Sequence, residues 1–215
     1  MLKSLRAAGL CLGLLFGLSL IGAQAGAAQA QDRASAPKAA VEGFRSAKFG
    51  MDEAALRKAA EKDFGKAAIS VETNPLEKTK VLSLEAVDLL PGTGKGRVSY
   101  ILGYSSQKLT QVTVVWLGAA ANEAENNRLR GIASALQTYF TQAGYVKESI
   151  ILEGSMPDGS QVAFHGADDK GRLTLLRYSI GRADDKGKMD VPVVVLTYTE
   201  NPKNPDVFRI KPGSF

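Results

Sequence analysis

Between Asn122 and Gly144 the apolar residues Leu129, Ile132, Ala133, Leu136, Tyr139, Phe140 and Ala143 recur at steps of three and four. That spacing stacks them on one face of a helix and predicts a long helix over 123–143. Asn122 is suited to cap its start, with Glu125 three residues on, and Gly144 stands where a left-handed residue ends such a helix. A shorter helix is predicted over Glu53 to Phe64, capped by Asp52, with Met51 and Leu56 placed to staple its start and Gly65 to end it.

Elsewhere the apolar period falls to two, the signature of strands. Thr79 to Val87, Arg97 to Tyr104 and Leu109 to Leu117 form one group; Val98, Tyr100, Leu102 and Tyr104 alternate with Arg97, Ser99, Ile101 and Gly103. Pro91 to Gly96 (PGTGKG) and Ser105 to Lys108 (SSQK) are its turns. Glu148 to Glu153, Gln161 to His165, Leu173 to Ile180 and Val191 to Thr199 form a second group after the long helix. Turns at Pro157 (PDGS), Ala167 (ADDKG) and Ala183 (ADDKG) separate them. The fold class expected is α+β, with two antiparallel meanders each associated with a helix. The first unit would span 41–118 and the second 119–200, an internal duplication of about ninety residues per unit. The meanders would merge into one curved sheet with the long helix packed on it. Pro202, Pro205 and Pro212 mark 201–215 as an extended or loose tail.

The first thirty residues change the cellular setting. Lys3 and Arg6 precede a twelve-residue apolar run from Leu10 to Ile21, and Ala28-Gln29-Ala30 offers a cleavage site ahead of Gln31, with Ala23-Gln24-Ala25 as a second. This is the pattern of a secretory signal peptide, and the run is short of the ~20 residues a membrane span needs. A periplasmic or secreted protein is expected, with 31–40 as a disordered leader and no stable membrane anchor after cleavage. Cys11, the one cysteine, would leave with the signal, so the mature chain would hold no disulfide and no thiol chemistry. The formal charge of +5 becomes +3 without Lys3 and Arg6, and the remaining charges are interspersed. That argues against a nucleic-acid or polybasic membrane surface.

Motifs for chemistry are incomplete. Gly94-Lys95 lies in a glycine-rich turn, but Leu89 and Gly96 stand where a phosphate loop needs a glycine and a hydroxyl. Ser105-Ser106-Gln107-Lys108 fits S-x-x-K, yet it joins two strands and neither S-D-N nor K-T-G occurs. His165 is the sole histidine and no G-x-S-x-G serine exists to pair with it. Asp168/Asp169 and Asp184/Asp185 are each followed by Lys-Gly; they read as solvated hairpin turns, with calcium binding across the two loops as the alternative. No enzyme, cofactor or metal site is therefore expected. Candidate interaction residues are Phe44, Phe49, Tyr100, Tyr104 and Trp116, aromatics that either anchor an interface or pack between sheet and helix.

Phe49-Gly50-Met51-Asp52-x-x-x-Leu56 resembles the F-G-M-[ST]-x-x-x-V start of a helix in two groups of small exported α/β domains. These are the SmpA/OmlA (BamE-type) outer-membrane assembly lipoproteins and the secreted β-lactamase inhibitor proteins, the latter built from two helix-plus-meander units. Asp52 replaces the usual hydroxyl cap, the lipid-bearing cysteine and the paired cysteines are missing, and no second F-G-M precedes the long helix. The resemblance, together with the missing catalytic set, implies an exported non-enzymatic protein that binds another protein, in envelope assembly or as an inhibitor. The alternative is a small-molecule or lipid carrier using a cavity between sheet and helix.

Overall fold

The computed structural model describes residues 38–120, 122–179, 191–210 and 213–214; the expected signal peptide, most of the expected leader and the Asp184/Asp185 turn lie outside them. In chain order the elements are β1 (Gly43–Phe44), β2 (Ala47–Lys48), α1 (Glu53–Phe64), β3 (Ser70–Thr73), β4 (Lys80–Val87), β5 (Lys95–Leu102) and β6 (Leu109–Leu117). Then come α2 (Glu123–Gln142), a 3-10 turn (Lys147–Ser149), β7 (Gly154–Ser155), β8 (Gln161–Ala167), β9 (Leu173–Ser179) and β10 (Val193–Thr199). No described helix is long and apolar enough to cross a membrane.

Both helices start where their caps predict. The Asp52 carboxylate accepts the Ala55 N–H at 3.0 Å and the Asn122 amide oxygen accepts the Glu125 N–H at 3.2 Å. Gly144 takes φ 83° just beyond α2, a conformation that costs glycine little. The α2 stripe of Leu129, Ile132, Ala133, Leu136 and Phe140 is buried. Leu56, Ala59 and Ala60 of α1 join the same hydrophobic cluster.

That cluster takes alternate residues from the strands, among them Leu82 and Leu84, Val98 and Tyr100, Val112 and Val114, and Val194 and Leu196. Because successive side chains of a strand point to opposite faces, α1 and α2 must lie on one side of the sheet. Val195 makes the point from the other side: it is buried to 9 % exposure yet stands outside the cluster.

The architecture is α+β. Eight strands form one sheet in the order β3-β4-β5-β6-β10-β9-β8-β7, apart from the small β1-β2 hairpin. All its pairings are antiparallel, and the two meanders join through their last strands, Val193 to Thr199 facing Leu117 to Gln111. The Phe49-Gly50-Met51 segment is seated on β6 by Gly50 N–H to Leu109 O at 2.9 Å and Leu109 N–H to Met51 O at 2.7 Å. The PGTGKG turn is held by Arg128, which donates to Thr93 O at 2.6 Å and to Leu117 O at 2.9 Å.

Two local expectations are corrected and one unexpected element is added. Glu148 to Glu153 is not a strand: it holds the end of a 3-10 turn and one isolated bridge, Ile151 to His165. The Ser149 hydroxyl accepts the Ala167 N–H at 2.8 Å and donates to Val146 O at 2.6 Å, so a side chain takes the place of part of the ladder. β3 adds an edge strand that no apolar alternation marks, all four of its residues being exposed. Asp168 is not solvated; at 4 % exposure it accepts the N–H groups of Val41, Lys170 and Arg172 and ties the start of the fold to the β8–β9 turn.

Candidate functional site

Both described helices lie on one side, and among the described residues no helix covers the other. Register places its outward residues in rows across the strands. Ser83, Ser99, Thr113, Thr197, Leu175 and His165 face one another in sequence from β4 to β8. Alongside runs Val81, Ile101, Gln111, Thr199 and Leu173, and on the other flank Glu85, Arg97, Val115, Val195 and Arg177.

The middle of this face carries hydroxyls, an amide and β-branched side chains but no charge. The Ser83 and Ser99 hydroxyls bond each other at 2.8 Å, and the Gln111 amide donates to Thr113 Oγ1 at 3.3 Å. Charges sit at the margin: Arg97 lies 3.9 Å from Glu85, and Arg177 pairs with Asp158. The hydroxyl and N–H of Ser160 and then Arg177 hold the exposed Asp158 carboxyl below its ordinary value. Exposed pairs of this kind are screened by solvent, so they fix side-chain positions more than they stabilise the fold.

At the end of the face, Ile101, Gln111 and Thr199 floor a hollow of about 840 Å³, walled by the chain after β10 and by Lys170-Gly171. The tail, expected to be extended or loose, is strapped here. The Asp206 carboxylate accepts the Ser105 and Ser106 N–H groups, each at 2.9 Å, while Asp206 O accepts the Tyr104 N–H at 2.8 Å. Phe208 N–H then reaches Glu77 O at 2.8 Å. Partial burial alone would raise the Asp206 pKa, but the Ser105 and Ser106 donors outweigh it and hold the group below its ordinary value.

The five aromatics singled out from sequence do not converge. Tyr100 and Trp116, 1 % and 2 % exposed, are core residues on the helix side and offer a partner no surface in this fold. Phe44 is half-buried and stacks on Tyr198 at 6.1 Å; Phe49 is half-buried under the Arg172 guanidinium at 5.7 Å. Tyr104 is 41 % exposed in the β5–β6 turn and meets Phe208 edge-on at 5.5 Å. It is the most exposed of the five. The hydroxyl row was not singled out from sequence, although Ser99 and Thr113 already stood at the outward positions of their alternations.

The remaining sequence candidates have structural partners. His165 Nδ1 lies 2.8 Å from Ser149 O. Ser105 and Ser106 cap onto Asp206 in a strand turn. Among the described residues no three His, Cys, Asp or Glu side chains gather as a metal group would require. At its centre the layer between sheet and helices is filled by Tyr100, Trp116 and Phe164. Compared with protein families, with curated proteins and with solved structures, the chain finds no match in any of the three.

Proposed function

We propose that this chain is an exported, non-catalytic protein that binds another protein on the open face of its sheet, in envelope assembly or as an inhibitor. The observation that carries the reading is the uncharged, half-buried row Ser99, Thr113 and Thr197, which continues the buried Ser83 on the side of the sheet that neither described helix covers. Desolvating hydroxyls and β-branched side chains costs far less than desolvating ions, so a partner can lie flat across this surface. The signal-like start and the Phe49-Gly50-Met51-Asp52 resemblance support the exported, non-enzymatic part of the reading. The six strands from β4 to β8 span about 24 Å at the usual strand spacing, which makes the face smaller than a standard interface. Binding through it alone is transient; a tighter partner also engages the margin beside Tyr104.

Affinity capture from the source's extracytoplasmic fraction tests this, with the wild-type protein and with Thr113→Arg and Thr197→Arg as separate baits. One stoichiometric protein is expected, its recovery falling about tenfold or more with either arginine, as burying an unpaired charge costs several kcal/mol. Undiminished capture by both variants, with unchanged melting temperatures, would remove the open face as the site. A co-purifying small molecule without a protein would overturn the protein-binding reading itself.

A further inference from the structure

On the helix side, where β1 meets the end of α2 and β10, lies a separate hollow of about 270 Å³. Its lining includes the rings of Phe44, Tyr139, Phe140, Tyr145 and Tyr198. Phe140 and Tyr145 are buried, while Tyr139 is 66 % exposed on α2 and packs edge-on to Phe140 at 5.3 Å. The charged residues of the lining are Lys38 and Arg45, and no acid is among them.

Neighbouring carboxylates are engaged elsewhere. Asp168 accepts the Val41, Lys170 and Arg172 N–H groups, Asp63 accepts the Ser46 N–H at 2.9 Å, and Glu42 lies 3.6 Å from Lys48. Arg45 donates one Nη2 hydrogen bond to Leu89 O at 3.1 Å, and among the described residues it has no acidic partner. Its backbone is also held at φ 52°, in the left-handed region, at a cost of about 1–2 kcal/mol for a side-chain-bearing residue. A glycine would remove that strain, and the chain carries an arginine instead. Such strain concentrates where a side chain is needed in place.

We infer that this hollow binds a single aromatic ring carrying a carboxylate beside it: the ring lies among Phe44, Tyr139 and Tyr198 and the carboxylate turns to Arg45 and Lys38. A hollow of about 270 Å³ has room for one ring among these side chains. Two sources share this chemistry, a free aromatic acid and an aromatic residue at the C-terminus of a peptide. The site lies on the opposite side of the sheet from the open face and stands or falls independently of it.

The test is a titration of the purified protein with N-acetyl-L-phenylalanine and with its primary amide, followed by backbone amide shifts. Saturable binding of the acid is expected, with shifts centred on residues 39–45 and 139–145 and the amide about tenfold weaker, the scale of one charge-assisted hydrogen bond. Tyr139→Ala, at an exposed position, should weaken the acid severalfold without moving the melting temperature. Arg45→Gln should narrow the difference between acid and amide, and Arg45→Gln with Lys38→Gln should bring them to equal affinity. A short peptide ending in phenylalanine identifies the source: tighter binding than the acid assigns a peptide, equal binding a free aromatic acid. No saturation up to the probe's solubility, equal wild-type affinity for acid and amide, or shifts centred elsewhere would overturn the assignment.

Discussion

Asp206 holds the tail by one carboxylate that takes two backbone N–H groups, and its side chain fills the space beside Gly103. Asp206→Ala removes both bonds and should cost roughly 1–2 kcal/mol, the scale of a lost helix cap, while releasing the Tyr104–Phe208 contact. The sign of the pH effect follows from the lowered carboxyl pKa. A depressed folded-state value gives stability that is present above the unfolded carboxylate pKa and is lost as pH falls through the folded one. The Phe208 ring resonances should therefore stay native from neutrality down to about pH 4 and move toward random-coil positions below it, while in Asp206→Ala they are random-coil throughout. Sequence made this residue look like part of a loose proline-marked tail. Its role depends on Ser105 and Ser106, a hundred residues away in the chain and adjacent in space. Tyr100 and Trp116 show the same limit: alternation places both on one strand face but does not say which face a helix covers.

At the scale of elements, capping and period were legible because they are local. Asp52 and Asn122 act within three residues, and the α2 stripe is written at helical spacing. The Glu148 to Glu153 stretch was not legible, since the Ser149 hydroxyl competes with the ladder only after Ala167 is brought beside it. Gly166 in β8 is another position that needs the fold to be understood. A Cβ there would stand 2.6 Å from Phe164 Cζ and 3.1 Å from Tyr145 Cδ1, both on buried rings. Gly166→Ala should destabilise by about 1–3 kcal/mol through overpacking, read as a lower denaturant midpoint with the slope unchanged. A neutral result would mean that the two rings shift freely, contrary to their close packing at 5.0 Å.

For the whole molecule the decisive contact is the seam between β6 and β10, which turns two meanders into one sheet. Leu82 in β4 and Leu176 in β9 lie on opposite sides of that seam, both buried in the same cluster. Leu82→Ala and Leu176→Ala should each cost about 2–5 kcal/mol and lower one common unfolding transition, with amide exchange accelerated in both halves. Two separate transitions would show that the meanders fold as independent lobes. The sequence by itself determined both helices and their caps, most of the strands, the antiparallel turns and the α+β class, because periodicity and capping act over a few residues. The tertiary structure alone decided that the meanders join through their last strands, that both helices take the same side, and that a hydroxyl row therefore faces outward. Those outcomes depend on strand pairings and packing between distant segments, where burying one sheet face leaves its reverse uncovered.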